Sequence, residues 1–243
     1  MKLWNYAVWM VVAFAAPAFG QIPSNAISSG PLTGASGWTW THDTGTPGTS
    51  VGSSSYPISN PSLTGRAREF SVSYWDHGGE RYHLSFGHDL TTTHMVYDTY
   101  VYVEDVTQLA NLEMDLYQVL GNGMTVFFAT QCSGYSGTWE YTYVSSGKSH
   151  WHTSNVPCNL KYWKPKTWHH VQIAVHRDNS GNVTHDWVNV DGNTQYFKSA
   201  TAFAGKYLRW ATGDLVLNLQ LDGASANNGH ITVYLDKFQV YRW

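Results

Sequence analysis

Charge is scarce in this chain. Only 13% of its 243 residues are Asp, Glu, Lys or Arg, against about 25% in an ordinary soluble domain. Basic residues are too few to build a field: 14 Lys and Arg stand against 17 Asp and Glu, a net charge of -3. Nucleic acid and anionic membranes are attracted by a basic patch or stripe, so neither is expected as a partner. A neutral partner suits this balance better. Cysteine is nearly absent, with two residues, Cys132 and Cys158. That pair supplies too few ligands for a structural metal site. Long apolar runs are missing as well: nothing after residue 20 approaches the ~20 residues that span a bilayer.

The first twenty residues read as an export signal. Lys2 gives a thin positive start, residues 6–16 form a short apolar run, and Ala18-Phe19-Gly20 offers small residues where a signal peptidase reads. The cut is expected before Gln21. The protein is then expected to be secreted, extracellular or periplasmic, without membrane insertion and as a monomer. In an oxidising compartment Cys132 and Cys158 read as one disulfide, with two free buried thiols as the alternative. Residues 21–36 are Ser, Gly, Pro and Ala without a period and read as a loose leader. Residues 37–243 remain, within the range of one domain.

What the chain has in abundance is aromatic residues and alternation. It carries 12 Trp and 16 Tyr. Tyr82, Leu84 and Phe86 alternate with Arg81, His83 and Ser85. Leu112, Met114 and Leu116 alternate with Glu113, Asp115 and Tyr117. The same period holds for Val171, Ile173 and Val175, and for Leu215, Leu217, Leu219 and Leu221. Period two means one face on a core and the other facing something polar. Asn122-Gly123, Asp178-Asn179-Ser180-Gly181, Asp191-Gly192 and Asn228-Gly229 mark turns between strands. Only residues 105–110 suggest a helical turn. The closing strand slips phase near Asp236-Lys237, from Ile231, Val233 and Leu235 to Phe238 and Val240, which predicts a bulge. The expectation is all-β: an antiparallel β-sandwich of the jelly-roll type.

The chemistry concentrates in residues 111–118, Asn-Leu-Glu-Met-Asp-Leu-Tyr-Gln. Glu113 and Asp115 share a strand face about 6.6 Å apart, opposite the Leu/Met/Leu row. Retaining glycoside hydrolysis uses a pair of carboxyls about 5–5.5 Å apart, one as nucleophile and one as acid. The plain alternative is two exposed acids on a solvated face. Together with later landmarks, this stretch resembles glycoside hydrolase family 16 of the concanavalin A-like lectin/glucanase superfamily. The landmarks are Glu113-x-Asp115-x-x-Gln118, then Ala129-Thr130-Gln131-Cys132, then Thr167-Trp168-His169-His170-Val171 running on to Val190-Asp191-Gly192. The last are the strand 215–223 and Tyr234-Leu235-Asp236-Lys237-Phe238-Gln239-Val240-Tyr241. The resemblance implies Glu113 as nucleophile and Asp115 as its assisting acid. It puts Gln118, carried over by a strand bulge, where the family has its general acid/base. An amide cannot protonate a departing sugar oxygen, a contribution of roughly 10²–10⁴-fold. The resemblance therefore implies a glycan groove more firmly than hydrolysis.

Between the cysteines lie Tyr135, Trp139, Glu140, Tyr141, Tyr143, His150, Trp151 and His152. Aromatic planes stack on the C–H faces of sugars, while amides and carboxylates bond the hydroxyls. The candidate saccharide-binding set is Tyr117, Gln131, Trp139, Tyr141, Trp151, His152 and Asn218. The competing reading makes Trp139 and Trp151 packing residues. Glu140 could replace the missing acid, but alternation forbids Glu140 and its neighbours Trp139 and Tyr141 from lining one groove together. His150-x-His152 and His169-His170 lack the helical spacing of a catalytic zinc site and read as surface histidines. No cofactor is expected; a structural calcium would suit this fold class, but no acidic loop locates one. Asn182-Val183-Thr184 is a glycosylation sequon. Gln195-Tyr196-Phe197-Lys198 and Val171-Gln172-Ile173 have a faint likeness to alginate-lyase motifs, with Ala174 where a His belongs. The sequence thus points to a secreted polysaccharide-binding protein. The alternatives are a retaining endo-glycanase on a neutral β-glucan, a polysaccharide lyase, or a structural or adhesive protein.

Overall fold

A computed structural model describes residues 22–243; the predicted export signal lies outside them. In chain order the strands are β1 (Ile27–Ser29), β2 (Thr39–His42), β3 (Thr49–Ile58), β4 (Ala67–Trp75), β5 (Gly79–His88), β6 (His94–Val103), β7 (Leu109–Val119), β8 (Thr125–Phe128) and β9 (Thr130–Ser133). They continue as β10 (Thr138–Ser145), β11 (Lys148–Pro157), β12 (Trp168–Arg177), β13 (Asn182–Val190), β14 (Asn193–Tyr196), β15 (Thr201–Phe203), β16 (Gly205–Lys206), β17 (Asp214–Gly223) and β18 (Gly229–Arg242). Helix among the described residues is confined to three short 3-10 turns, and no helix is long and apolar enough to cross a membrane.

Two antiparallel sheets form a sandwich, as the alternation implies. One runs β14-β13-β12-β6-β18-β4-β3, the other β11-β10-β9-β7-β17-β5-β2, with β8 and β16 joined beside β7. The apolar rows read from the sequence meet between the sheets. Leu112, Met114 and Leu116 of β7 and the four odd-numbered leucines of β17 pack against Val171, Ile173 and Val175 of β12 and Val233 and Leu235 of β18 in one core. The predicted bulge is present in β18, where the register against β6 shifts between Asp236 and Gln239. Asp191 and Gly192 both have positive φ, so they make the two-residue turn that reverses β13 into β14.

Residues 21–36 were expected as a loose leader, with the domain starting at 37. Instead β1 pairs with the end of β18, and Leu32 enters the core. Buried Arg68 donates to the Thr33 carbonyl at 2.6 Å and to that of Ala35 at 3.1 Å. Lack of a hydrophobic period hid this segment, because backbone pairing and one leucine hold it.

Cys132 and Cys158 are disulfide-bonded, tying β9 to the chain just after β11. The bond closes a loop of 26 residues, which in the chain-entropy account is worth about 3 kcal/mol. Cys132→Ser/Cys158→Ser should lower the unfolding free energy by that order in urea titrations. An unchanged midpoint would show that the β10–β11 hairpin needs no tether.

Candidate functional site

The outward face of the second sheet is built as rungs across its strands. One rung sets Thr41, Arg81, Gln220, Glu113, Gln131, Glu140 and Thr153 side by side, each opposite the next. A neighbouring rung pairs Asp222 with Asn111, and another pairs His83, Asn218 and Asp115. Strands lie about 4.8 Å apart, and same-face neighbours along a strand about 6.6 Å apart. The pairing of β7 with β17 is unshifted from Asn111 to Gln118, so Asn111, Glu113, Asp115 and Tyr117 all point outward.

Loops and one tryptophan wall this floor. The loop 43–47 after β2, His77 in the β4–β5 turn, Tyr135 after β9 and Trp151 on β11 surround a cleft of about 350 Å³. Its floor is Asn111, Glu113, Gln131, Gln220 and Asp222. A second cleft of about 190 Å³ shares Asp43, Glu113, Trp151 and Gln220 with it and reaches Arg81, Asp115, Tyr117 and Thr142. Beyond that, Trp210 packs edge-on against Tyr117 at 5.6 Å and borders a third hollow of about 410 Å³ with His83 and Asp214. Glu113 is the hinge of the first two clefts, 6% exposed.

The acids are crowded and poorly hydrated. Burial, reinforced by Asp115, Asp222 and Asp43, pushes Glu113 well above the usual carboxylate range, with Arg81 opposing. Asp115 is 1% exposed, and burial raises it to about 6 despite four donors. These are Asn218 Nδ2 at 2.8 Å, the Tyr117 hydroxyl at 2.9 Å, the Thr130 N–H at 3.2 Å and Glu113 itself. Burial also raises Asp222 to about 6, while the Gln220 and Asn111 amides donate to it at 3.0 and 3.1 Å. Gly79 permits this packing: a Cβ there would lie 2.1 Å from Asp222 Oδ1. Repulsion between two neighbouring buried carboxyls favours their protonated forms.

Amide orientations complete the site. Gln131 Nε2 donates to Glu140 at 2.5 Å, and Asn111 Nδ2 to Asp222, so both carbonyl oxygens turn the other way. Asn111 Oδ1 and Gln131 Oε1 are buried with no hydrogen-bond partner, and both residues line the cleft beside Glu113. An orphaned buried carbonyl costs about 1–3 kcal/mol. Among the described residues no group of three or more His, Cys, Asp or Glu is arranged to hold a metal ion.

The structure brings together Glu113, Asp115, Tyr117, Gln131, Asn218 and Trp151 of the sequence-derived set. Four others lie elsewhere. Gln118 faces inward because β7 has no bulge between it and Glu113; it is fully buried, accepts from Arg177 Nε at 2.7 Å and donates to the Asp89 carbonyl. The acid/base position assigned to it by the family pattern does not exist here, and Tyr117 holds the third place on that face. Trp139, 1% exposed, lies in the core, on the reverse side of β10 from Glu140. Tyr141 also turns to that side and stacks on His152 at 5.1 Å, which removes both from the groove. His150 stacks on Tyr143 and borders the second cleft. His169 and His170 bond Asp191 and Asp98 on the other sheet, and Gln172 also donates to Asp98. Strand alternation is the cause throughout. The sequence reading missed Asp43, Arg81, Asn111, Gln220 and Asp222. Gln220 carried a signal, as the polar partner of the leucine row of β17; Asp43, in a Gly-rich loop, carried none.

Fold and site define an antiparallel β-sandwich with an acid-lined cleft on one sheet. No protein-family model matches the sequence, and no curated protein matches it. Among solved structures the chain is similar to a carbohydrate-binding module of the β-sandwich superfamily, at 10% identity and TM-score 0.46, over 88% of this chain and 60% of that one. It is similar to a family 11 carbohydrate-binding module from Clostridium thermocellum, solved with a β-1,3-1,4-mixed-linked tetrasaccharide, at 11% identity and TM-score 0.40, over 88% and 93% of the two chains. A third likeness is arcelin-5, a lectin-like defence protein from Phaseolus vulgaris, at 8% identity and TM-score 0.42, over 84% and 97%. At these values no property of those proteins transfers to this chain.

Two predictions test the placement. Gln118→Glu should create no hydrolysis, since the side chain faces the core, and Gln118→Ala should cost about 1–3 kcal/mol by stranding the Arg177 guanidinium; gain of activity in the first would restore the family register. The raised acids bind more protons folded than unfolded between roughly pH 4 and 6, so their stabilisation is complete below that window and is lost as pH rises through about 6. Burial lowers His83 and His185 to about 4, and these act with the opposite sign in the same interval. The test is therefore a difference. Urea midpoints of Asp222→Asn should gain on those of the unaltered protein from about pH 4 to 7. A variant midpoint that stays level or falls relative to that of the unaltered protein over this interval would contradict a protonated, buried Asp222.

Proposed function

We propose that this chain is an exported polysaccharide-binding protein that seats a glycan in the cleft over β7. The observation that carries this reading is a cleft floored by the acids Glu113 and Asp222 and the amides Asn111, Gln131 and Gln220, and bordered by the partly exposed indole of Trp151. Sugar rings present what such a site lacks: hydroxyl donors around the edge and an apolar C–H face for the indole. Glu113, Asp115 and Asp222 supply further acceptors, and Gln220 and Tyr117 flank them. The run of hollows from Tyr135 to Trp210 favours a chain over a single sugar. The disulfide suits an oxidising compartment.

Binding is favoured over hydrolysis by the register of β7. The family-16 arrangement needs an acid at the third outward position, where this chain has Tyr117 bonded to Asp115. The lyase reading loses its residues, because Gln172 and Gln195 sit on the opposite sheet.

Affinity electrophoresis against soluble polysaccharides should show retardation that Trp151→Ala weakens roughly tenfold or more, about 1.4 kcal/mol or above. Trp139→Ala should act through stability instead, by about 3–5 kcal/mol. Full retention of binding in a folded Trp151→Ala protein would remove the cleft from the account. New reducing ends that disappear in Glu113→Gln would replace binding with hydrolysis.

A further inference from the structure

The two sheets part at one edge, where β14 ends the first sheet and β11 ends the second. A hollow of about 410 Å³ lies there and shares no residue with the cleft over β7. Its size falls within the roughly 300–1,000 Å³ of small-ligand sites. No Asp, Glu, Lys, Arg or His lines it; aromatic rings and amides do. Asn193 and Gln195 stand opposite Val190 and Val188, on the side of β14 turned toward the core. Among the described residues neither of these two side chains has a hydrogen-bond partner. Asn159 Oδ1 accepts from the Lys161 N–H at 3.0 Å, which leaves its NH₂ to the hollow.

Three aromatic side chains complete the lining. Trp139, 1% exposed, backs it. Its indole N–H has no acceptor within the protein, and unlike the orphaned carbonyls of Asn111 and Gln131 it is not sealed from solvent, so it opens on this hollow. Trp163 is fixed in place, because His169 packs on it at 5.0 Å and is itself bonded to Asp191 at 2.7 Å and to the Lys164 carbonyl at 3.1 Å. Tyr162, at the end of the 3-10 turn Leu160–Tyr162, stands at the rim with 86% of its surface in water.

We propose that this hollow is a second saccharide site, taking a neutral sugar unit whose C–H face lies on Trp163 and Tyr162 while its hydroxyls bond Asn159, Asn193, Gln195 and the Trp139 indole N–H. The site stands apart from the cleft over β7 and does not depend on it. A charged ligand would lose water here and meet no counter-charge. An aliphatic ligand would strand the amides and the indole N–H. A proline-rich segment brings carbonyl acceptors but no backbone N–H, whereas each side-chain amide offers both a donor and an acceptor. Hydroxyls both donate and accept, so a polyol ring with one apolar face answers every group in the lining. Trp139 and Trp163 are held before binding, so little side-chain freedom is lost on contact.

The indole N–H signals of Trp139 and Trp163, followed by nuclear magnetic resonance on the full chain, report on the hollow directly. The probes are β-linked tetramers of glucose, mannose, galactose and N-acetylglucosamine, with hexaproline as the peptide control. At least one tetramer should shift both signals saturably, and the shifts should persist in Trp151→Ala, which alters only the other cleft. Tyr162→Ala and Gln195→Ala, each checked for unaltered thermal unfolding, should each weaken that titration about fivefold or more. Signals unmoved by all the tetramers, or shifts that vanish in Trp151→Ala, overturn the second site and leave the cleft over β7 to be judged by its own retardation assay. Unchanged titration in both folded variants removes the hollow as the point of contact. Hexaproline binding more tightly than every tetramer replaces the sugar with a peptide.

Discussion

Strand β7 is hydrogen-bonded along one edge to β17 and along the other to β8 and β9, and from Asn111 to Gln118 its register never slips. A single-residue shift would move every side chain to the other face. The buried Leu112, Met114 and Leu116 forbid that shift, because their loss from the core would cost several kcal/mol each. The same lock that buries the leucines holds Glu113 and Asp115 outward, and it holds Gln118 inward against Arg177. The position of the site is thus a by-product of core packing.

Holding these acids close together is costly, and the surroundings show how the cost is offset. Asp115 is surrounded by four donors, and Asp222 by the amides of Asn111 and Gln220. Glu113 has more neighbours of like charge, and burial and repulsion together raise it well above the usual carboxylate range. The amide donors of the floor are engaged within the protein, so its acids, together with His77, Tyr135 and Trp151 at the rim, meet whatever enters.

The walls come from distant parts of the chain. Loop 43–47 is anchored by its own Asp43 turn and by the Gln220 amide. Trp151 reaches the cleft because β11 pairs with β10 so that Trp151 stands opposite Thr142, on the same side as Glu140. Tyr135 and His77 approach to 3.5 Å at one end. The disulfide joins the two ends of the segment that carries Tyr135 and Trp151, so the redox state of Cys132 and Cys158 bears on the shape of the wall.

Much of this was legible in the sequence. Period-two alternation requires sheets with one buried face, and it assigned Glu113, Asp115, Tyr117 and Asn218 to the polar side, because side chains on a strand must alternate whatever the strand pairs with. The bulge at Asp236-Lys237 and the Asp191-Gly192 turn were equally local. Family resemblance misplaced Gln118 by carrying over a bulge: the even-numbered row of Leu112, Met114 and Leu116 runs on without a slip to Gln118, which therefore faces inward. Trp139, Tyr141 and His152 were misjudged for a related reason: composition says that a hairpin is aromatic, but only its neighbours decide which face looks into a cleft and which into a core. Asp43 and Asp222 lie 179 residues apart, and nothing local joins them. Their convergence on Glu113 exists only because antiparallel strands and a returning loop bring separate stretches of chain to one point.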